Sequence, residues 1–142
     1  MKKEMEILEL ELVKKQFEKH CAFSMGIQEI RQASPHYDRL WVTRELARVK
    51  EAYDLVVRYG APSFAGIKDL RLQLQDAAKG RTLGAMDLRF ISDEIRAVEN
   101  IQAYFQASEA SGPMLQELVD ALGDVRKVAV RIDACVDRKS VV

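Results

Sequence analysis

The sequence has few of the residues that form tight turns, disulfide frameworks or cysteine-rich metal sites. Its 142 residues include only seven glycines, three prolines and two cysteines. So few turn-forming residues disfavour sandwiches and barrels, which contain many short strands joined by turns. Cys21 and Cys135 lie far apart and show no CxxC spacing. We therefore expect two reduced structural thiols, with a disulfide between them as the open alternative.

Neither sign of charge is in excess, and no long apolar run occurs. Lysine plus arginine and aspartate plus glutamate both total 22, which makes the net charge zero. A free-standing DNA-binding module normally carries a basic excess, so the chain as a whole does not fit that class. No apolar run reaches the length of a membrane span, and the first residues turn acidic without the apolar core of a signal peptide. We therefore expect a cytoplasmic protein.

The composition is that of a globular domain, with 48% apolar and 31% charged residues. At this length one domain is expected, so we predict that residues 1–142 form a single helical domain. The strongest helix signal starts after Asp38, a good N-cap, and ends at Gly60, which suits the left-handed position that stops a helix. Its apolar residues recur in steps of four and three, and we expect them to face inward: Val42, Leu46, Val49, Tyr53, Val56 and then Gly60.

Apolar residues at helical spacing predict five further helices. Their expected ranges are residues 10–21, 25–33, 67–77, about 85–109 and 113–122, and a final apolar segment follows at residues 125–132. An alternating pattern from Ile7 to Leu12 also admits a short extended start. The predicted fold class is all-α, a helical bundle of about six helices in which the two long ones, the third and the fifth, are central.

The residue chemistry predicts no catalytic, cofactor-binding or metal-binding site. HExxH, paired cysteines, GxSxG and GxxxxGK[ST] are all missing from the sequence. His20 is expected at a helix end and His36 in a solvated turn. Carboxylate pairs such as Asp93–Glu94 and Glu4–Glu6 are interpreted as solvated faces, since charged residues are mostly exposed.

Two groups of basic residues are the only pattern that suggests a contact surface. Phosphate contacts need several such residues on one face. The alternative is ordinary surface charge, because both groups are interleaved with acidic residues. Trp41, at the start of the third helix, is expected in the core or as an anchor that faces a partner. The candidate nucleic-acid or partner contacts are Arg44, Arg48, Arg126, Lys127 and Arg131.

An ordered series of short motifs along most of the chain resembles the N-terminal region of the type-two MutS family, bacterial relatives of the mismatch-repair ATPase MutS. The most telling segment is Gly66-Ile67-Lys68-Asp69, after a proline–glycine loop. One departure is the lack of a glycine that the family pattern expects near residues 134–138. The other motifs that carry the resemblance are Leu8-Glu9-Leu10, His20-Cys21, Gly26, Ser34-Pro35, Lys79-Gly80, Leu83 and the run from Ile132 to Asp137.

The resemblance implies a much longer parent protein, a DNA-binding ATPase and endonuclease that uses ATP and magnesium. Such a parent dimerises, binds branched DNA and suppresses recombination, and some members act on stalled ribosomes. This chain would be part of the core–lever scaffold between the clamp and ATPase domains of that parent. No catalytic residue of the family maps onto it, so the chain itself is expected to be no enzyme and to hold no cofactor. The alternatives are an independent helical protein–protein interaction module and, third, an enzyme with an unrecognised site.

Overall fold

The structure, a computed structural model, describes residues 9–108 and 112–136. All regular secondary structure in these two ranges is helical, which confirms the predicted all-α class. The predicted start at Ile7–Leu8 and the predicted end of the fifth helix at Glu109 lie outside the described residues. Within the described ranges the helices are α1 (Leu10–Glu18), α2 (Ser24–Gln32), α3 (Arg39–Tyr59), α4 (Arg71–Ala78), α5 (Ala85–Ala107), α6 (Pro113–Asp120) and α7 (Arg126–Cys135).

The described residues contain one helix more than the six predicted, because α7 forms where only an apolar segment was expected. Val125, Ala129 and Ile132 follow one another in steps of four and three, so one helix face is apolar. Ala129 is buried at 4% exposure. Asp124 accepts a hydrogen bond from the backbone amide of Arg126 at 3.1 Å, which helps to start the helix. The signal for α7 was therefore present in the sequence.

Backbone contacts divide the chain into two compact units, Met1–Pro35 and His36–Val142. In the first unit α1 and α2 pack together. Two parallel hydrogen bonds of 2.9 Å from Arg31 to the Glu18 carboxylate join these helices, and they lower the pKa of Glu18. Whether the two units act as the single domain expected from the sequence stays a prediction.

In the second unit α5 is the central helix, since it packs against both α6 and α7. Its buried residues include Ile95, Ala97 and Ile101. The contact with α7 also has a polar component, because the Ser92 hydroxyl donates a hydrogen bond to Asp133 at 2.8 Å. Burial of α5 against two neighbours is the main apolar core of this unit.

The other long helix, α3, packs against α6, and polar groups take part in this contact. The Glu51 carboxylate accepts a hydrogen bond from the Leu115 amide at 3.0 Å, and so satisfies a free amide in the first turn of α6. Arg44 pairs with Glu117 at 3.2 Å. A β-carbon at Gly112 would lie 2.1 Å from the Glu51 Cδ atom, so glycine is needed there for the carboxylate to reach the helix end.

Candidate functional site

The most unusual surface of the second unit is the apolar stripe of α3, composed of Val42, Leu46, Val49, Tyr53 and Val56. The prediction that this stripe faces inward is wrong for all of it but the half-buried Val42: Leu46 and Val49 are each 64% exposed and Tyr53 is 68% exposed. The buried residue of α3 is instead Leu55, at 2% exposure. The physical reason is that α6 packs against the opposite face, where Glu51 and Arg44 make their polar contacts.

The spacing of the α3 stripe is that of a helix seam. Steps of four and three residues place one side chain per turn on a single line, the pattern by which helices pack side by side. At the start of the helix Trp41 stacks on His36 with ring centroids 3.8 Å apart, and Trp41 keeps 43% of its surface exposed. Trp41 therefore does not belong to the core, and of its two predicted roles the partner-facing one stays a prediction.

The segment from Gly66 to Leu70, where the family resemblance is strongest, lies against α5. A β-carbon at Gly66 would lie 3.3 Å from the Asp93 carbonyl oxygen, and the positive φ of 93° also favours glycine. The Lys68 ammonium lies 3.6 Å from the centre of the Phe90 ring, a cation–π contact. Leu70 is buried at 6% exposure. These contacts fix the direction in which the chain enters α4.

Asp69, in the same segment, helps to start α4. Its carboxylate accepts hydrogen bonds from the Arg71 guanidinium and, at 3.2 Å, from the Arg71 backbone amide. The side-chain hydrogen bonds and then the backbone bond lower the pKa of Asp69 to about 2. This aspartate is therefore ionised throughout the physiological range, and its contacts with Arg71 are structural.

An open groove of about 400 Å³ lies between α4, α5 and α7. We call it the Glu94 groove, because Glu94 is the one polar side chain among the described residues that line it. Burial is the main cause that raises the pKa of Glu94. The apolar walls of the groove include Leu70, Leu74, Ile91, Ile95, Val98 and Val128.

The prediction that the Asp93–Glu94 pair is a solvated face is wrong for Glu94. Its Oε2 atom is buried and has no hydrogen-bond partner among the described residues. The signal that could have revealed this was its position between Ile91 and Ile95, whose spacing marks the buried face of α5. The pair Glu4–Glu6 lies outside the described residues.

The five basic residues proposed as contacts lie on two helices that pack against different neighbours. On α3, Arg44 is paired with Glu117, and Arg48 donates to Glu45 at 2.9 and 3.1 Å. On α7, Arg126 pairs with Asp124, while Lys127 and Arg131 are exposed. Three of the five are thus engaged by carboxylates, and a contact role for the set stays a prediction.

Within residues 9–108 and 112–136, no three histidine, cysteine, aspartate or glutamate side chains come together in a way that would hold a metal ion. Cys21 and Cys135 are both free thiols. No helix in these ranges combines the length and the apolarity that crossing a bilayer requires.

Comparison with curated proteins finds several that are similar to this chain. The chain is 25% identical over 133 residues to endonuclease MutS2 of Clostridium beijerinckii, covering 92% of this chain and 17% of that protein. It is 28% identical over 136 residues to endonuclease MutS2 of Bacillus velezensis, with the same two shares of 92% and 17%. The match to endonuclease MutS2 of Thermomicrobium roseum is 27% over 122 residues, 84% of this chain and 15% of that protein.

No protein-family model matches the chain. The chain spans 17% of the length of the first two of these curated relatives. It therefore resembles an N-terminal fragment of a MutS2-type protein, at low identity, as the motif series predicted.

Proposed function

We propose that this chain is a scaffold and coupling domain, of the core–lever type, in a larger MutS-like ATPase. In that protein the domain would transmit rigid-body movement between a DNA-binding clamp and an ATPase domain, and it would hold no catalytic site or cofactor of its own. ATP and magnesium would bind elsewhere in the parent, which would act in the cytoplasm as a homodimer. The parent protein would bind branched DNA and suppress recombination, or it would act on a stalled ribosome.

The observation that carries this proposal is the exposed α3 stripe. A helix that packs one face on α6 and presents an apolar seam on the other has room for a second helical neighbour. Contiguous apolar surface of this kind marks sites of protein–protein contact. The similarity to one part of a MutS2-type protein fits a domain that joins a larger assembly through such a seam.

The test is to measure how accessible the stripe is, with and without the rest of the parent. A single thiol is placed by Val49→Cys in a Cys21→Ser, Cys135→Ser background, and its labelling rate is compared between this chain and the longer protein. We expect the rate to fall at least about a hundredfold in the longer protein, because packing excludes the reagent. The matched control is Lys127→Cys on exposed α7.

Equal labelling of Val49→Cys in both proteins would favour the alternative, an independent helical interaction module. A separate experiment addresses nucleic acid: binding of the 142-residue chain to branched DNA is measured at low salt and at about 200 mM. Contacts by Arg126, Lys127 and Arg131 would give binding that weakens steeply with salt. Absence of binding at both salt concentrations would remove any DNA contact made by this chain alone.

A further inference from the structure

Helix α3 has the residue pattern of one strand of a coiled coil. Its 21 residues make three heptads, and the α3 stripe occupies their a and d positions, with Leu46 and Tyr53 at a and valines at d. Arg44 and Glu51, which contact α6, both lie at f, opposite this seam. Contacts within the same unit therefore involve the back of α3 and leave most of the seam exposed.

The two flanks of the seam carry charges of opposite sign. Glu45 is the charged residue among the three g positions of α3, and Lys50 is the charged residue among the three e positions. In a parallel pair of helices, each g residue lies beside the e residue five positions further along the partner helix, and charges there set partner choice and orientation. Glu45 of one copy would therefore meet Lys50 of the other, twice by symmetry. The e positions are Thr43, Lys50 and Val57, and the g positions are Glu45, Ala52 and Tyr59.

The same flanks disfavour an antiparallel pair of α3 helices. Antiparallel strands bring e beside e and g beside g, so neither Glu45 nor Lys50 meets an opposite charge in any register. The parallel pair also matches apolar flanks, since Ala52 at g meets Val57 at e, which is exposed in the single chain. Arg39, at the first a position, lies at the open end of the seam, where its stem can pack while its guanidinium stays in water.

The charges on the flanks keep the capacity for a partner. Within α3, Glu45 accepts hydrogen bonds from Arg48, and Lys50 donates to Asp54. A carboxylate has about four acceptor sites and an ammonium has three donors, so neither pair saturates its members. The Lys50 side chain is 75% exposed. Both charges can therefore bond across the seam without giving up the contacts that they make in the single chain.

We propose that the α3 stripe pairs with the α3 stripe of a second copy of this chain, as a parallel two-stranded coiled coil in which Glu45 of each copy bonds to Lys50 of the other. The inference rests on the proposed function and deepens it, because it names the helical neighbour of the stripe. Two strands are expected, since a larger bundle would also use the c flank, where Leu55 is already buried. Three heptads make a short seam, so the dilute chain is monomeric, and contacts elsewhere in a longer parent would raise the effective concentration of the two stripes.

Disulfide exchange in the concentrated 142-residue chain tests the orientation of the pair. In a parallel coiled coil each d residue faces the same residue of the other copy. Val49→Cys, in a Cys21→Ser, Cys135→Ser background, should therefore form a covalent dimer in a glutathione buffer. The matched control is Lys127→Cys on exposed α7, which should stay monomeric under the same conditions.

Sedimentation equilibrium of charge-reversed variants tests the proposed ion pairs. Glu45→Lys and Lys50→Glu each place like charges across both flanks, and each should weaken self-association by about tenfold or more. An equimolar mixture of these two variants should associate about as tightly as the wild type, because every flank charge in the mixed pair then meets an opposite one. Circular dichroism establishes that each variant is folded.

Several results would overturn the pairing. These are a monomer at every concentration up to about 1 mM, a trimer or tetramer, a mixture of charge-reversed variants that associates no more tightly than each alone, or a preference of Val49→Cys to link with Leu46→Cys or Tyr53→Cys, as an antiparallel pair would. In the longer protein, a protected Val49→Cys that forms no link between copies would overturn the pairing and leave the scaffold function standing, with another segment on the stripe. Free labelling of Val49→Cys in the longer protein would instead contradict the scaffold function itself.

Discussion

The two long helices of the second unit have the same kind of sequence pattern and opposite environments. Helix α5 has 23 residues and α3 has 21, and both carry apolar side chains in steps of three and four. Ile95 and Ile101 of α5 are buried against neighbouring helices, whereas Leu46 and Tyr53 of α3 are exposed. Periodicity thus identifies the face of a helix that is suited to packing, but it does not tell whether the packing partner is in the same chain.

The largest difference between the two helices is expected when one apolar stripe residue on each is truncated to alanine. Ile101→Ala should lower the free energy of unfolding by about 3 kcal/mol, because it leaves a cavity beneath α5. Leu46→Ala should change it by less than about 0.5 kcal/mol, since its side chain is already in water. Urea unfolding, followed by circular dichroism and by the fluorescence of Trp41, measures both. Equal losses would mean that the α3 stripe is covered in solution.

A second prediction concerns how α3 ends. Gly60 has φ 78° and ψ 170°, a backbone conformation that is essentially restricted to glycine, and an added β-carbon would have no atom within 4 Å. Gly60→Ala should therefore cost about 1–2 kcal/mol through backbone strain alone. Thermal and urea unfolding provide the measurement.

Gly26 is the matched control for Gly60, because it lies inside α2 and is not among the positive-φ glycines of the described residues. A β-carbon there would lie 3.6 Å from the Cys21 sulfur, an ordinary contact. Gly26→Ala should stabilise its helix by up to about 1 kcal/mol, the opposite sign. If both alanines had the same effect, the ending of α3 would not depend on the conformation of Gly60.

The third prediction tests whether polar contacts hold α3 in place. Glu51→Ala removes the acceptor for the Leu115 amide, and Gly112→Ala displaces the same carboxylate. Each should cost about 1 kcal/mol, the usual loss of a helix cap. Because both changes remove one interaction, the double variant should cost about as much as either single one. Additive losses in urea unfolding would show that the two positions act independently.

Local features of α3 could be predicted from the sequence, whereas its long-range contacts could not. Asp38 was expected to cap the helix, and its carboxylate accepts from the Leu40 amide at 2.8 Å. The positive φ of Gly60 was likewise expected, although its ψ lies outside the left-handed helical region. Propensity and capping act within a few residues, so one sequence is enough to predict them.

The Glu51 cap and the Glu94 groove depend on contacts between distant parts of the chain. Glu51 reaches an amide 64 residues further along, and nothing in the spacing around Glu51 indicates that partner. Glu94 was interpreted as solvated because charged residues usually are, but its Oε2 atom is buried and its side chain lines a groove formed by distant parts of the chain. A carboxylate between two isoleucines spaced four residues apart on one helix face is the pattern that would identify such a site.

The prediction with the smallest expected effect compares how two carboxylates, Asp69 and Glu94, make the stability of the fold depend on pH. The folded-state pKa of Asp69 is lowered from 3.8 to about 2 by its bonds with Arg71. Its stabilising contribution is therefore present above pH 3.8 and is lost as the pH falls towards 2. Glu94 has the opposite sign: burial raises its pKa above 4.5, so the folded state is favoured below pH 4.5 and loses that contribution as the pH rises through the raised value.

Melting temperatures from pH 2 to pH 8 for the wild type, Asp69→Asn and Glu94→Gln measure this contrast. Asp69→Asn should be less stable than the wild type at neutral pH, and the difference should vanish towards pH 2. Glu94→Gln should gain stability relative to the wild type as the pH rises above 4.5, because it removes a carboxylate that is partly desolvated and keeps the side-chain size. A Glu94→Gln curve that runs parallel to the wild-type curve would mean that Glu94 is solvated, and the Glu94 groove would then resemble the exposed face of α3, not the buried face of α5.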